Sequence, residues 1–128
     1  MSDLSKYLSA PYKDGARGPL AFDCYGLVIA VRHEVFGLPL LPSLGGVGRA
    51  KLRANTVAYH DIKAGMDECQ PEPGAIASAF AGDFLEHVGV VVHLDGQLKV
   101  LDTNPGGPRI RPVRDFESCY QRVVYYRD

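Results

Sequence analysis

The apolar positions of this chain follow two periods, and the change falls near Met66. Before it, Cys24, Leu27, Val28, Val31 and Val35 recur at i, i+3, i+4, i+7 spacing, which predicts a helix over Cys24–Phe36 with one buried face. Asp23 stands at the N-cap position of that helix and Gly37 at its stop. Ser2–Leu8 reads as a short helix and Arg49–Ala64 as a second, weaker one. The Gly- and Pro-bearing stretches Pro11–Pro19 and Leu38–Gly48 read as loops. After Met66, Gln70–Gly74 is a turn cluster. Strands are expected at Ala75–Phe80, His87–Leu94, Gln97–Asp102, Arg109–Val113 and Tyr120–Tyr126, with a turn at Pro105–Pro108. Asp95-Gly96 is a strong two-residue hairpin signal. Helices followed by an antiparallel meander predict an α+β class, and the length predicts one domain over residues 1–128.

Composition narrows the function classes. With 46% hydrophobic and 23% charged residues, the 128-residue chain has the makings of a folded core without disulfides or metal. Fourteen Lys and Arg stand against fifteen Asp and Glu with no basic stripe, which argues against nucleic acid as the main partner. The apolar runs are far shorter than the roughly 20 residues that span a bilayer, so no membrane span is expected. Met1–Ser9 lacks an apolar core behind a basic start, so synthesis in the cytoplasm without a signal peptide is expected. Cys24, Cys69 and Cys119 are odd in number and widely spaced, which reads as reduced thiols and offers no zinc spacing.

Cys24 is the first candidate for chemistry. At a helix N-terminus the dipole and the free N–H groups favour a thiolate, the nucleophilic form. The competing reading is structural: Cys24 is on the apolar stripe with Leu27 and Val28, and cysteine is often buried. A cysteine nucleophile needs a base. His33 is on the opposite face of the same helix, and His60 and His93 read as solvated. His87 opens a strand, Glu86-His-Val-Gly-Val-Val-Val, whose start can approach the helix N-terminus. If Asp95-Gly96 is the turn, Leu94 faces Gln97, Gly89 faces Asp102 and His87 faces Asn104. Asp102 and Asn104 then share a sheet face with His87. Either could orient the imidazole, or both could simply end the strand as turn formers.

These residues together resemble a known family. Phe22-Asp-Cys-Tyr-Gly-Leu-Val28, then His87-Val-Gly-Val and Val100-Leu-Asp102, is similar to the NlpC-type cysteine peptidases. Arg17-Gly-Pro ahead of Phe-Asp-Cys-Tyr-Gly-Leu-Val is most like the branch encoded in phage tail-assembly clusters. The resemblance covers about Tyr12 to Ile110 and is loose over Gly37–Cys69. It implies a papain-like fold and hydrolysis of peptidoglycan stem peptides, usually between D-glutamate and diaminopimelate. Cys24 would be the nucleophile, His87 the base and Asp102 the third polar residue. Tyr12 would lie near the substrate, with Asp23, Tyr25 and Asn104 as further substrate-side positions. Three positions depart from the pattern. Asp102 stands where His is common, Tyr25 where Ser often follows the nucleophile, and Ala75 where an acidic residue usually follows the Pro-x-Pro-Gly turn.

The reading that results is a Cys–His cell-wall amidohydrolase that needs no metal or cofactor. It would act on a peptidoglycan stem peptide, be associated with a virion tail, and have tail-tip proteins as possible partners. The rival is a non-catalytic tail-tip assembly module on the same fold. A lipid acyltransferase of the related permuted group is disfavoured, because Cys24 precedes His87.

Overall fold

Residues 4–42 and 65–128 are described in a computed structural model. Among them are helices α1 (Ser5–Ser9) and α2 (Cys24–Glu34), followed by strands β1 (Asp67–Cys69), β2 (Ile76–Ala81), β3 (Phe84–Leu94), β4 (Gln97–Asn104) and β5 (Gly107–Pro112), then helix α3 (Val113–Ser118) and strand β6 (Arg122–Arg127). The expected helix at Arg49–Ala64 and the end of the expected loop at Leu38–Gly48 lie outside the described residues.

The Asp95-Gly96 turn sets the register of the sheet. Both residues have positive φ, 52° and 78°, as a two-residue type I′ turn requires. Leu94 therefore pairs with Gln97, and the ladder runs back through Val91↔Val100 to Val90↔Leu101. A second tight turn at Gly82-Asp83 pairs Ala81 with Phe84 and starts β3 earlier than the sequence pattern suggests. The six strands form one antiparallel sheet in the order β1-β6-β2-β3-β4-β5.

This order corrects the expected simple meander. Strands β2 to β5 do follow one another, but β6 returns to the far side of β2 and separates it from β1. The polar Asp-Glu-Cys of β1 shows no alternation and pairs with β6 in antiparallel register. Helix α3 is a second departure. It is one short segment after Pro112 without a side-chain N-cap, so no local signal announces it. Its buried Phe116 docks it onto the sheet.

The two sheet faces carry separate cores. On one face Ile76, Phe80, Val88, Val90, Val92 and Leu101 pack with Leu27, Val28 and Val31 of α2. On the other, Ala75, Ala77, Ala79, Val91 and Val100 pack with Phe116 and Tyr125. Three alanines on that face leave room for the aromatic rings of α3 and β6. Helix α2 is more deeply placed than its apolar stripe implies, because every residue from Cys24 to Arg32 is buried. Leu4 just ahead of α1, Tyr7 of α1 and Phe22 of the loop preceding α2 join its core. Arg32 is buried too, donating from Nε to the Gly74 carbonyl at 2.9 Å and pairing with Asp128. These bonds offset part of the cost of burying that charge.

Close backbone approach constrains two glycines. A Cβ on Gly26 would sit 2.3 Å from the Ala16 carbonyl, and one on Gly89 would sit 2.6 Å from Val100 and 3.2 Å from the Asp102 Cβ. Overpacking of this kind typically costs about 1–3 kcal/mol. Gly26→Ala and Gly89→Ala are each expected to lower stability by about that amount, seen as a lower urea midpoint at unchanged slope.

Candidate active site

The start of α2 is held by a network centred on Asp23. Its Oδ1 accepts from the Gly26 N–H at 2.7 Å and from Arg17 Nη1 at 2.6 Å, while Oδ2 accepts from the Gly15 N–H at 3.2 Å. The expected N-cap is present, and the same carboxylate ties the preceding loop to the helix. Asp23 is 1% exposed, so its oxygens are engaged within the protein. Tyr25 is also buried. Its hydroxyl donates to the Pro42 carbonyl at 2.8 Å, and Arg17 lies over its ring. Burial pushes the Tyr25 phenol up to about 12, against the opposing pull of Arg17 and Arg32.

Cys24 sits directly after this cap and is 1% exposed. It belongs to the core on the α2 side of the sheet, together with Val88 and Val90. Tyr12 lies near it. Burial, the Asp14 carboxylate and the Cys24 sulfur all push the Tyr12 phenol above its ordinary range. The Tyr12 hydroxyl donates to Asp14 at 3.2 Å.

The second half of the site is built by β3, β4 and β5. His87 Nε2 is 2.8 Å from Asp102 Oδ2, and both residues are fully buried. A carboxylate accepts, so Nε2 is the nitrogen that donates in this pair. Among the described residues, the buried His87 Nδ1 has no hydrogen-bond partner. Tyr120 stacks on the imidazole with ring centroids 5.8 Å apart, and Phe116 lies at 6.2 Å. Asn104 plays a different part: its Oδ1 accepts from the Gly106 N–H at 2.9 Å and closes the β4–β5 turn. Of the two residues that register placed beside His87, Asp102 makes the contact.

Sequence reading passed over Arg109 and Arg111. Arg109 pairs directly with Asp102 across β4 and β5 and reaches Oδ2 from Nη2 at 3.2 Å. Arg111, two residues on and therefore on the same face, reaches the same oxygen at 3.3 Å. Extending the hairpin register through the Pro105–Pro108 turn would have found Arg109. Burial raises the Asp102 carboxyl and is the largest single influence, yet the hydrogen bonds and charges of His87 and Arg109 together hold it below its ordinary value. Phe116 and Tyr120 had no signal, because the helix that presents Phe116 was not foreseen.

Strand alternation separates the two halves. Val88 and Val90 face α2, while His87 lies among Phe116, Tyr120 and the partner-strand Ala79 on the other side. A bulge falls beside His87, because Ala79 pairs with His87 but Phe80 pairs with Leu85, leaving Glu86 extra. Bulges bend strands and re-aim side chains near sites. Of the other histidines, His33 binds the Leu38 carbonyl through Nδ1 at 2.9 Å, His93 is exposed, and His60 lies outside the described residues. Among the described residues no cluster of three or more His, Cys, Asp or Glu could hold a metal ion, and no helix is long and apolar enough to cross a membrane.

Comparison with known proteins adds one relationship. Over 109 residues, 85% of this chain, the sequence is 30% identical to a protein of Listeria grayi named "Probable endopeptidase p60". The chain is similar to p60 over most of its length. The matched stretch is 18% of p60, so the chain spans under a fifth of that relative. No protein-family model matches the chain. The α+β class, with helices packed on an antiparallel sheet, is consistent with a papain-like fold.

Because the Asp102 carboxyl is held low in the folded chain, its ionisation stabilises the fold above the ordinary Asp value of about 3.9. That contribution is lost as pH falls through the lower, folded value. The urea midpoint of the parent should therefore exceed that of Asp102→Asn near neutrality, and the gap should close below about pH 4, near the unperturbed carboxyl value. A gap that persists unchanged into strong acid would mean that the carboxylate charge contributes nothing to it.

Proposed function

We propose that the chain is a cysteine peptidase of the NlpC type that hydrolyses an amide bond of peptidoglycan stem peptides. The observation that carries this reading is the buried imidazole of His87. Asp102 accepts from its Nε2–H, and among the described residues Nδ1 has no hydrogen-bond partner, which leaves that nitrogen available to serve as a general base. The similarity to p60 over 85% of the chain supports the same reading. So does the N-capped helix start at Cys24, beside Tyr12.

In this reading His87 Nδ1 takes the Cys24 thiol proton. The thiolate attacks the scissile carbonyl, and N–H groups of the first turn of α2 stabilise the oxyanion. His87 returns the proton to the leaving amine. Water, deprotonated by His87, then releases the acyl group from sulfur, and the proton goes back to the thiol. The bond between D-glutamate and diaminopimelate is the proposed target. The Arg17-Gly-Pro…Phe-Asp-Cys-Tyr-Gly-Leu-Val spelling supports association with a phage tail.

One observation favours a second reading. Cys24 and His87 are both buried, which suits a non-catalytic assembly module. Incubation of purified peptidoglycan with the chain, followed by mass analysis of soluble fragments, separates the two. Fragments ending at a new D-glutamyl carboxyl are expected from the parent. Cys24→Ala and His87→Ala should each reduce their yield by at least about 10³-fold, as loss of a nucleophile or base does. Equal yields from the parent and Cys24→Ala would leave the assembly reading.

A further inference from the structure

A carboxylate beside an imidazole normally favours the protonated ring. At this site four nitrogens converge on the one oxygen Asp102 Oδ2: His87 Nε2 at 2.8 Å, Arg109 Nη2 at 3.2 Å, Arg111 Nη2 at 3.3 Å and Arg109 Nε at 3.4 Å. Arg109 Nε adds a contact to Oδ1 at 3.2 Å. One negative charge therefore meets two permanent positive charges before His87 takes any proton. Guanidinium groups do not deprotonate in proteins, so this excess does not vary with pH.

We infer that Arg109 and Arg111 are positioning residues that offset the charge of Asp102, so that the carboxylate orients His87 without driving a second proton onto it. The inference rests on the proposed use of His87 as the base and deepens it. A catalytic base must be unprotonated before it can accept a proton, and a lone buried aspartate in contact with the ring would work against that. With the arginines in place, Asp102 acts on the imidazole much as a neutral acceptor would. The substitution of Asp for the more common His at this position, noted in the sequence, is thereby compensated from the neighbouring strand.

Among the described residues, the groups around the ring are few. β4 contributes Asp102 and β5 contributes Arg109 and Arg111. β2 contributes the uncharged Ala79. From α3 and the turn after it come Phe116 and Tyr120. Cys119 stands behind, accepting from Arg111 Nη1 at 3.1 Å, and Arg111 also lies over the Phe116 ring at 5.3 Å. Glu117 of α3 is taken by the Tyr125 hydroxyl at 2.9 Å. Asp102 is thus the carboxylate in contact with the imidazole, and the two arginines are the groups that balance it.

The test is an NMR titration of the His87 ring in the parent, Arg109→Gln, Arg109→Lys and Arg111→Gln. The Arg109 side chain is 37% exposed, so its variants should fold, and an amide correlation spectrum checks this. Removing either guanidinium unmasks the carboxylate and removes a like charge, and both effects favour a proton on the ring. The pH at which His87 takes its proton is expected to rise by about one unit in Arg109→Gln, in line with the effect of a neighbouring charge. Arg109→Lys, which keeps the charge, should stay near the parent. An unmoved or lowered midpoint in folded Arg109→Gln, or a Lys variant that moves as far as Gln, overturns the inference. The readout is independent of cleavage. A raised midpoint in a chain that releases no peptidoglycan fragments would sink the proposed function and leave the charge offset standing. Cleavage with an unmoved midpoint would do the reverse.

Discussion

A carboxylate taken fully out of water must be paired, and Asp102 is the buried charge around which the β3–β5 half of the sheet is organised. Desolvating an ion costs several kcal/mol unless hydrogen bonds and opposite charges replace the lost water. Three strands supply those partners. β3 brings His87, β5 brings Arg109 and Arg111, and β4 carries the carboxylate between them. The space for this is made by Gly89, which any side chain would push into Val100 and the Asp102 Cβ. Turn, register, glycine and ion cluster depend on one another. A slip of one residue at Asp95-Gly96 would send Asp102 to the other face and leave two arginines and a histidine without their acceptor.

The start of α2 follows the same logic with a smaller charge cluster. Asp23 caps the helix, binds the Gly15 N–H and pairs with Arg17. The loop ahead of Cys24 is thereby fixed to the helix that carries it. Gly26 lets the Ala16 carbonyl lie against the first turn. The Phe22-Asp-Cys-Tyr-Gly string thus reads as a structural device at nearly every position. Phe22 and Tyr25 are buried, Asp23 caps, Gly26 permits contact, and Cys24 is the residue left with chemistry to offer.

The two cores give successive residues of β3 different surroundings. Sheet alternation gives α2 the valines at positions 88 and 90 and gives His87, Gly89 and Val91 to the alanine-rich face under α3. The imidazole is enclosed by Phe116 and Tyr120, which excludes water from its bond to Asp102 and strengthens that bond electrostatically. The imidazole stands next to the bulge at Glu86.

Local signals determined a good deal of this arrangement. The 3.6-residue period with Asp23 ahead of it specified α2, because capping and amphipathic spacing act within a few residues. Asp95-Gly96 specified the β3–β4 register, because only residues tolerant of positive φ make that turn. From that register alone Asp102 and His87 shared a face. What depended on distant segments was not legible. The return of β6 between β1 and β2, the docking of α3 through Phe116, and the burial of α2 on all sides come from packing between parts far apart in the chain, where no periodicity points. The choice of Asp102 over Asn104 was likewise tertiary: Asn104 was claimed by the Gly106 N–H of its own turn, while Asp102 was held by arginines of the next strand. Residue spacing could place the candidates on one face, but only the balance of charges brought together by three strands decided which of them holds the histidine.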